Sequence, residues 1–247
     1  MNSESLLKPS PLIPASRPEI IQSLIDGVDR YNPDNVSILE EYLGTQLQTE
    51  DYDLMANLAI LKLLVFKRSI LASINQYQFN PHLVNEQVIN NILVKSLTAI
   101  PNPDFNLCLY LLHENALAEE NVTKLIELQQ LLEECKYQEF WKVYESDESY
   151  KELTSDAIGF EDAIRKVILT SITMTYQSIS AELLSSYLNL NTDDEEFDSF
   201  IQSRGLVNKD GIVLVPTNYD NEAKPTVIRE NIKFEQLTKV IGYSNEL

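Results

Sequence analysis

Glycine is scarce: 6 of 247 residues, against an average near 7%. Phosphate-cradling loops need glycine so that the backbone can approach the phosphate. Neither G-x-G-x-x-G nor G-x-x-x-x-G-K-S/T occurs, which argues against nucleotide-binding folds, and low glycine disfavours turn-rich all-β architectures. Cysteine is limited to Cys108 and Cys135, too few for a disulfide framework. There is no charged–apolar–cleavage pattern at the start, so no secretory signal is expected. The longest apolar stretch, Ala56 to Phe66, is interrupted by Asn57 and Lys62; a membrane span needs about 20 apolar residues. Positive charge is also short, with 19 Lys+Arg against 38 Asp+Glu and a net charge of −19. Such a chain repels nucleic acid at long range, and basic partner surfaces suit it better.

What is present is helical text. Hydrophobic residues make up 44% of the chain, enough for a real core. Residues 1–18 carry Pro9, Pro11, Pro14 and Pro18 and read as a flexible Pro/Ser-rich tail. Pro18 suits the first turn of a helix capped by Ser16. From there to residue 146, apolar residues recur at three- and four-residue spacing. They run as Ile20, Ile21, Leu24, Ile25, Val28; then Val36, Leu39, Tyr42, Leu43; then Leu54, Leu58, Ile60, Leu61 after a capping Asp53. Gly44 either ends its helix or packs tightly inside it. Asn80-Pro81 opens a helix with Val84, Val88, Ile92, Leu93 and Leu97, which Pro101 and Pro103 stop. Val122, Leu125, Leu128, Leu131 and Leu132 form a further stripe, and Phe140, Trp141 and Tyr144 close the region.

Helices of this length with short polar breaks predict an α-solenoid or HEAT-like domain over 19–146, with a helical bundle as the other arrangement. Residues 147–157 read as a polar connector. Residues 158–216 then give three helices and an Asp210-Gly211 hairpin, the order of a winged helix. Residues 226–247 form a terminal amphipathic helix and tail, with Ile228, Ile232, Phe234, Leu237 and Val240 on one stripe.

Candidate chemistry is thin. His82, His113, Cys108 and Cys135 lack metal-ligand spacing. Asp193 to Glu196 fits a capping box from Thr192 better than a cation site. No G-x-S-x-G occurs. Phe140 and Trp141 read as core rather than as a binding platform. No catalytic residue, cofactor or metal is expected.

Several pieces of text are distinctive in order. They are Asp29-Arg30-Tyr31-Asn32-Pro33-Asp34-Asn35, Tyr52 to Leu63, Tyr77-Gln78-Phe79-Asn80-Pro81, Asp104-Phe105-Asn106-Leu107-Cys108, Phe140-Trp141 and Gly159-Phe160-Glu161-Asp162. From about residue 19 to 241 this series resembles the subunit K family of eukaryotic translation initiation factor 3. The resemblance implies a mostly α protein, a HEAT-like/PCI-type helical repeat domain followed by a winged-helix domain with a small β-hairpin. It also implies a non-catalytic, cytoplasmic subunit, compatible with a nuclear pool, of a complex that binds the small ribosomal subunit and assembles the initiation complex. The expected partners are other subunits of that factor, subunit L above all. Direct RNA contact, through Lys209 or Arg204, would be weak, and no membrane is involved. The alternative is a PCI-type subunit of the proteasome lid or signalosome, which shares the plan.

In the family the helix ending at Leu63 runs almost directly into Tyr77. Here Leu64 to Gln76 intervene, an insertion containing Lys67 and Arg68. Thirteen helical residues would rotate the following chain by about 220°. Three readings stand: the insertion loops out, the helix extends and a new turn restores direction, or the segment is a retained intron of the gene model. The candidate partner-binding residues are Ile232, Phe234, Leu237 and Val240, packed either in an inter-subunit bundle or on the chain's own winged helix.

Overall fold

The computed structural model describes residues 13–73, 86–192, 195–223 and 234–244. Helix α1 (Glu19–Asp26) starts after Pro18, whose φ of −63° already suits the helix; no side chain caps it, so Ser16 does not play the expected role. Its buried face is narrower than the apolar text: Ile21 and Ile25 are buried, whereas Ile20 and Val28 are exposed. The end of the expected tail is anchored, because Arg17 forms a buried ion pair with Asp53.

Asn32 accepts from the Asp34 amide and opens a 3-10 turn, Pro33–Asn35. Helix α2 (Val36–Gln48) follows directly. It runs through Gly44, where an added Cβ would meet nothing within 4 Å, so this glycine neither ends the helix nor serves close packing. Helix α3 (Leu54–Ser73) packs against α2. Asp53 caps it as expected, accepting from the Ala56 amide at 3.1 Å. Gln46 and Asn57 satisfy each other's buried amides across the α2–α3 contact, at 3.1 and 3.3 Å. The helix continues unbroken from Leu64 to Ser73; the rest of the Leu64–Gln76 segment lies outside the described residues.

Helix α4 (Glu86–Leu97) is the central element. The expected start at Asn80-Pro81, with Val84, lies outside the described residues. Every residue from Val88 to Leu97 is buried, so the one-sided stripe expected here is replaced by burial all round. Lys95 is carried into the interior, where its Nζ donates to the Thr49 carbonyl at 3.0 Å. Burial lowers its pKa to about 8, with Asp51 and Glu50 pulling the other way. The folded state therefore binds fewer protons than the unfolded chain between about pH 8 and 10.5, and there stability rises with pH. We expect the wild-type protein to gain stability relative to Lys95→Met as pH rises through that window, measured by urea unfolding. A constant difference between the two would contradict this.

Helices α5 (Asp104–Tyr110), α6 (Glu114–Leu117), α7 (Glu120–Glu133) and α8 (Tyr137–Ser146) continue the stack. Residues 147–157 are not a plain connector. Asp147 accepts from the Ser149 amide at 3.0 Å and starts α9 (Glu148–Thr154), which buries Tyr150 and Thr154. Helix α10 (Phe160–Thr175) follows.

A three-stranded antiparallel sheet completes the fold, in the order β1 (Ser178–Ser180), β3 (Ile212–Leu214), β2 (Val207–Lys209). Helices α11 (Ala181–Leu188) and α12 (Glu195–Ser203) lie between β1 and β2 in the chain. Ser180 caps α11, as expected, by accepting from the Leu183 amide. Gly205 follows α12 with φ +73°, the left-handed position that favours glycine. The Asp210-Gly211 turn has φ of +50° and +81°, so β2 and β3 form the expected tight hairpin. Strand β1 was not expected. One buried cluster runs from Ile21 to Val215 and includes the sheet's inner residues Ile179 and Val213.

Candidate interaction surface

The residues that chemistry would need are mostly occupied with structure. His113 Nδ1 accepts from the Asn115 amide at 3.3 Å and caps α6. Cys108 is fully buried, and burial pushes its thiol up to about 12, far from a reactive thiolate at neutral pH. Cys135 is exposed. Among the described residues no group of three or more His, Cys, Asp or Glu is placed to hold a metal ion. His82, Asp193 and Asp194 lie outside the described residues, as do the side chains of Lys67, Arg68, Glu195 and Glu196.

Phe140 and Trp141 belong to the core, as their spacing indicates. Phe140 is fully buried, stacked on Tyr144 at a centroid distance of 6.0 Å and edge-on to Trp141 at 5.1 Å. Trp141 Nε1 donates to the Tyr187 carbonyl at 2.8 Å, tying α8 to α11.

The exposed apolar residues define surfaces instead. Helix α13 (Phe234–Ser244) is exposed from residue 235 to 244. At 100° per residue, Phe234, Leu237 and Ile241 fall within about 60° of one another, with Val240 about 60° further round. Glu235 and Lys239 take the other side. The described part of this stripe is exposed, Leu237 by 44% and Val240 by 67%, and the side chain of Phe234 lies outside the described residues. Ile232 lies outside the described residues. An isolated helix of this length is marginal in water, and an amphipathic one is held by what its apolar face packs against.

A second surface lies on the β2–β3 hairpin. Register places Val207 opposite Leu214, and Lys209 opposite Ile212, on one face of the sheet. Val207, Ile212 and Leu214 are all exposed there. Their alternation with Val213 was legible, but the assignment of faces required β1, whose Ile179 pairs with Val213. Just beyond β3, the Asn218 and Asn221 side chains donate to the Thr173 carbonyl at 2.8 and 3.2 Å. These contacts pin the chain to the end of α10 shortly before it leads towards α13.

Comparison with known proteins adds a family. The model of the CSN8/PSMD8/EIF3K family matches residues 83–227, more than half of the chain. Eukaryotic translation initiation factor 3 subunit K of Botryotinia fuckeliana (strain B05.10) is 40% identical, over 93% of this chain and 95% of that protein. The protein of the same name from Yarrowia lipolytica (strain CLIB 122 / E 150) is 36% identical over 94% and 97%. That from Mycosarcoma maydis is 37% identical over 98% and 97%.

Proposed function

Since the chain belongs to the eukaryotic translation initiation factor 3 subunit K family, we propose that it is a non-catalytic docking subunit of that complex. In this reading it helps the complex bind the small ribosomal subunit and assemble the initiation complex, and subunit L is its neighbour. The observation that carries the reading is identity of 36–40% over nearly the whole length of both chains. The exposed apolar residues of α13 and of the β2–β3 hairpin support the docking part of the reading.

The domain plan we propose is a HEAT-like, PCI-type helical unit over 19–146, a winged helix over 158–216 and a partner-facing helix within 226–247. The order α10, β1, α11, α12, β2, β3 supports the winged helix, with the β2–β3 hairpin as its wing. Ile232, Phe234, Leu237 and Val240 are its proposed partner-binding residues. The exposed apolar stripe of α13 supports an inter-subunit role over packing on the chain's own sheet. The net charge of −19 leaves little attraction for RNA and fits a cytoplasmic protein working among protein partners.

Purification of a tagged copy from its own cells, with mass spectrometry of what accompanies it, tests the reading. Recovery of initiation factor 3 subunits with small-subunit ribosomal proteins is the expected result. Recovery of proteasome-lid or signalosome subunits instead would overturn the function while leaving the fold intact.

A further inference from the structure

Residues 216–223 lie beyond the sheet and add nothing to the buried apolar cluster, whose last member is Val215. Ordering such a stretch costs backbone entropy, and none of these residues is buried to offset it. Side-chain amides hold it instead. Asn218 Oδ1 accepts from the Asp220 and Asn221 amides, each at 2.9 Å, and Asn221 Oδ1 accepts from the Asn218 amide at 2.8 Å. Asn221 Nδ2 shares its two hydrogens among the Pro216, Thr173 and Tyr176 carbonyls, at 2.9, 3.2 and 3.2 Å. Asn218 Nδ2 donates to the Thr173 carbonyl and Gln177 Nε2 to the Asn221 carbonyl, both at 2.8 Å.

Part of the return is local. A helix leaves its last carbonyls without intrahelical partners, and the two asparagines serve those at the end of α10. Capping needs only the donors that reach Thr173 and Tyr176, however. The bonds by which each asparagine closes on the other's backbone brace the loop itself. They fix the point at which the chain leaves the folded body.

That point bears on α13. Ten residues, 224–233, separate Ala223 from Phe234; whatever path they take, they span at most about 40 Å. Without the asparagine bonds, the last backbone anchor is Val215, whose amide donates to the Gln177 carbonyl at 3.0 Å. Eighteen residues, 216–233, would then lead to α13 and span up to about 70 Å. A longer tether lowers the effective concentration of one binding element beside another, roughly as the −3/2 power of its length or more steeply. Going from ten to eighteen residues lowers it about two- to threefold.

We propose that Asn218 and Asn221 are positioning residues for docking: they keep the tether to α13 short, so that the folded body and α13 engage the complex together. The inference rests on the docking-subunit reading and adds to it how the two parts of the chain cooperate.

The test uses the full chain, co-expressed in its own cells as two differently tagged copies, one wild type and one variant. The complex is purified through another initiation factor 3 subunit. Quantitative mass spectrometry compares the ratio of variant to wild type in the complex with that in the lysate. Asn218→Ala with Asn221→Ala removes the asparagine bonds. An insertion of eight Gly and Ser residues after Ala223 keeps those bonds and the α10 cap, and gives the same eighteen-residue tether. The expected result is the same loss from the complex for both variants, about two- to threefold, with the insertion variant melting like wild type. A purely structural role would lower the melting temperature of the asparagine variant and leave the insertion variant incorporated like wild type. That outcome would overturn the proposal, as would incorporation of the asparagine variant at parity. A Phe234→Asp, Leu237→Asp copy separates the two readings. If it is lost from the complex while the insertion variant is not, the tether inference fails and docking through α13 stands. If it is incorporated like wild type, docking through α13 fails, and the inference with it.

Discussion

Asp53→Ala is expected to cost about 3–5 kcal/mol of folding stability, because it strands a buried cation. Arg17 and Asp53 meet through two parallel hydrogen bonds of 2.6 and 2.7 Å. Their side chains are 2% and 1% exposed. The same carboxylate caps α3 through the Ala56 amide and accepts from the Tyr42 hydroxyl at 3.3 Å. One substitution therefore removes a helix cap, leaves a phenol unpaired and leaves a guanidinium buried without its carboxylate. For a chain of this size the loss corresponds to a melting temperature lower by about 6–20 °C. Arg17→Ala leaves the cap in place and should cost less. The double variant should cost clearly less than the sum of the singles, since contacting charges couple. Thermal denaturation of the three variants measures this; an Asp53→Ala protein melting within about 2 °C of wild type would contradict it.

Trp141→Ala is the second large effect, at about 3–5 kcal/mol. The ring is 4% exposed and lies edge-on to Phe140 and Tyr144, at centroid distances of 5.1 and 6.1 Å. The Arg165 guanidinium sits 5.5 Å from its centroid. Truncation opens a cavity where α8 meets α11 and removes the donor to the Tyr187 carbonyl. Trp141→Phe keeps most of the apolar bulk and loses the hydrogen bond, so its cost should be nearer 1–2 kcal/mol. Because one buried cluster spans Ile21 to Val215, both losses should appear as a shift of one cooperative urea transition. Two separate transitions in the variants, or an alanine variant no worse than the phenylalanine one, would contradict the packing account.

Much of the helical order was legible because it rests on local rules. Asp53 and Ser180 announce helix starts by composition, and Asp210-Gly211 announces a tight hairpin by its need for positive φ. What escaped depends on partners distant in sequence. Arg17 sits in proline-rich text that reads as tail, and only Asp53, 36 residues on, reveals it as anchored. Residues 148–154 are polar enough to pass for a connector, yet Tyr150 and Thr154 are buried by the neighbouring helices. Strand β1 is only three residues long and exists because β3 pairs with it. The α4 text implies one apolar face, and the burial of Asn90, Asn91 and Lys95 follows from elements packing on every side. The α13 stripe was legible from spacing alone, whereas its exposure was not.

The most direct test of the central claim is quantitative recovery of initiation factor 3 subunits on a tagged Phe234→Asp, Leu237→Asp chain, beside the wild type at equal expression. Leu237 is exposed, and the variant is expected to keep the wild-type circular dichroism spectrum and melting temperature. The account predicts that recovery of the other subunits falls at least tenfold, about 1.4 kcal/mol or more of lost binding. A folded variant that retains its partners at wild-type levels would contradict it, and the docking role would have to lie on another surface.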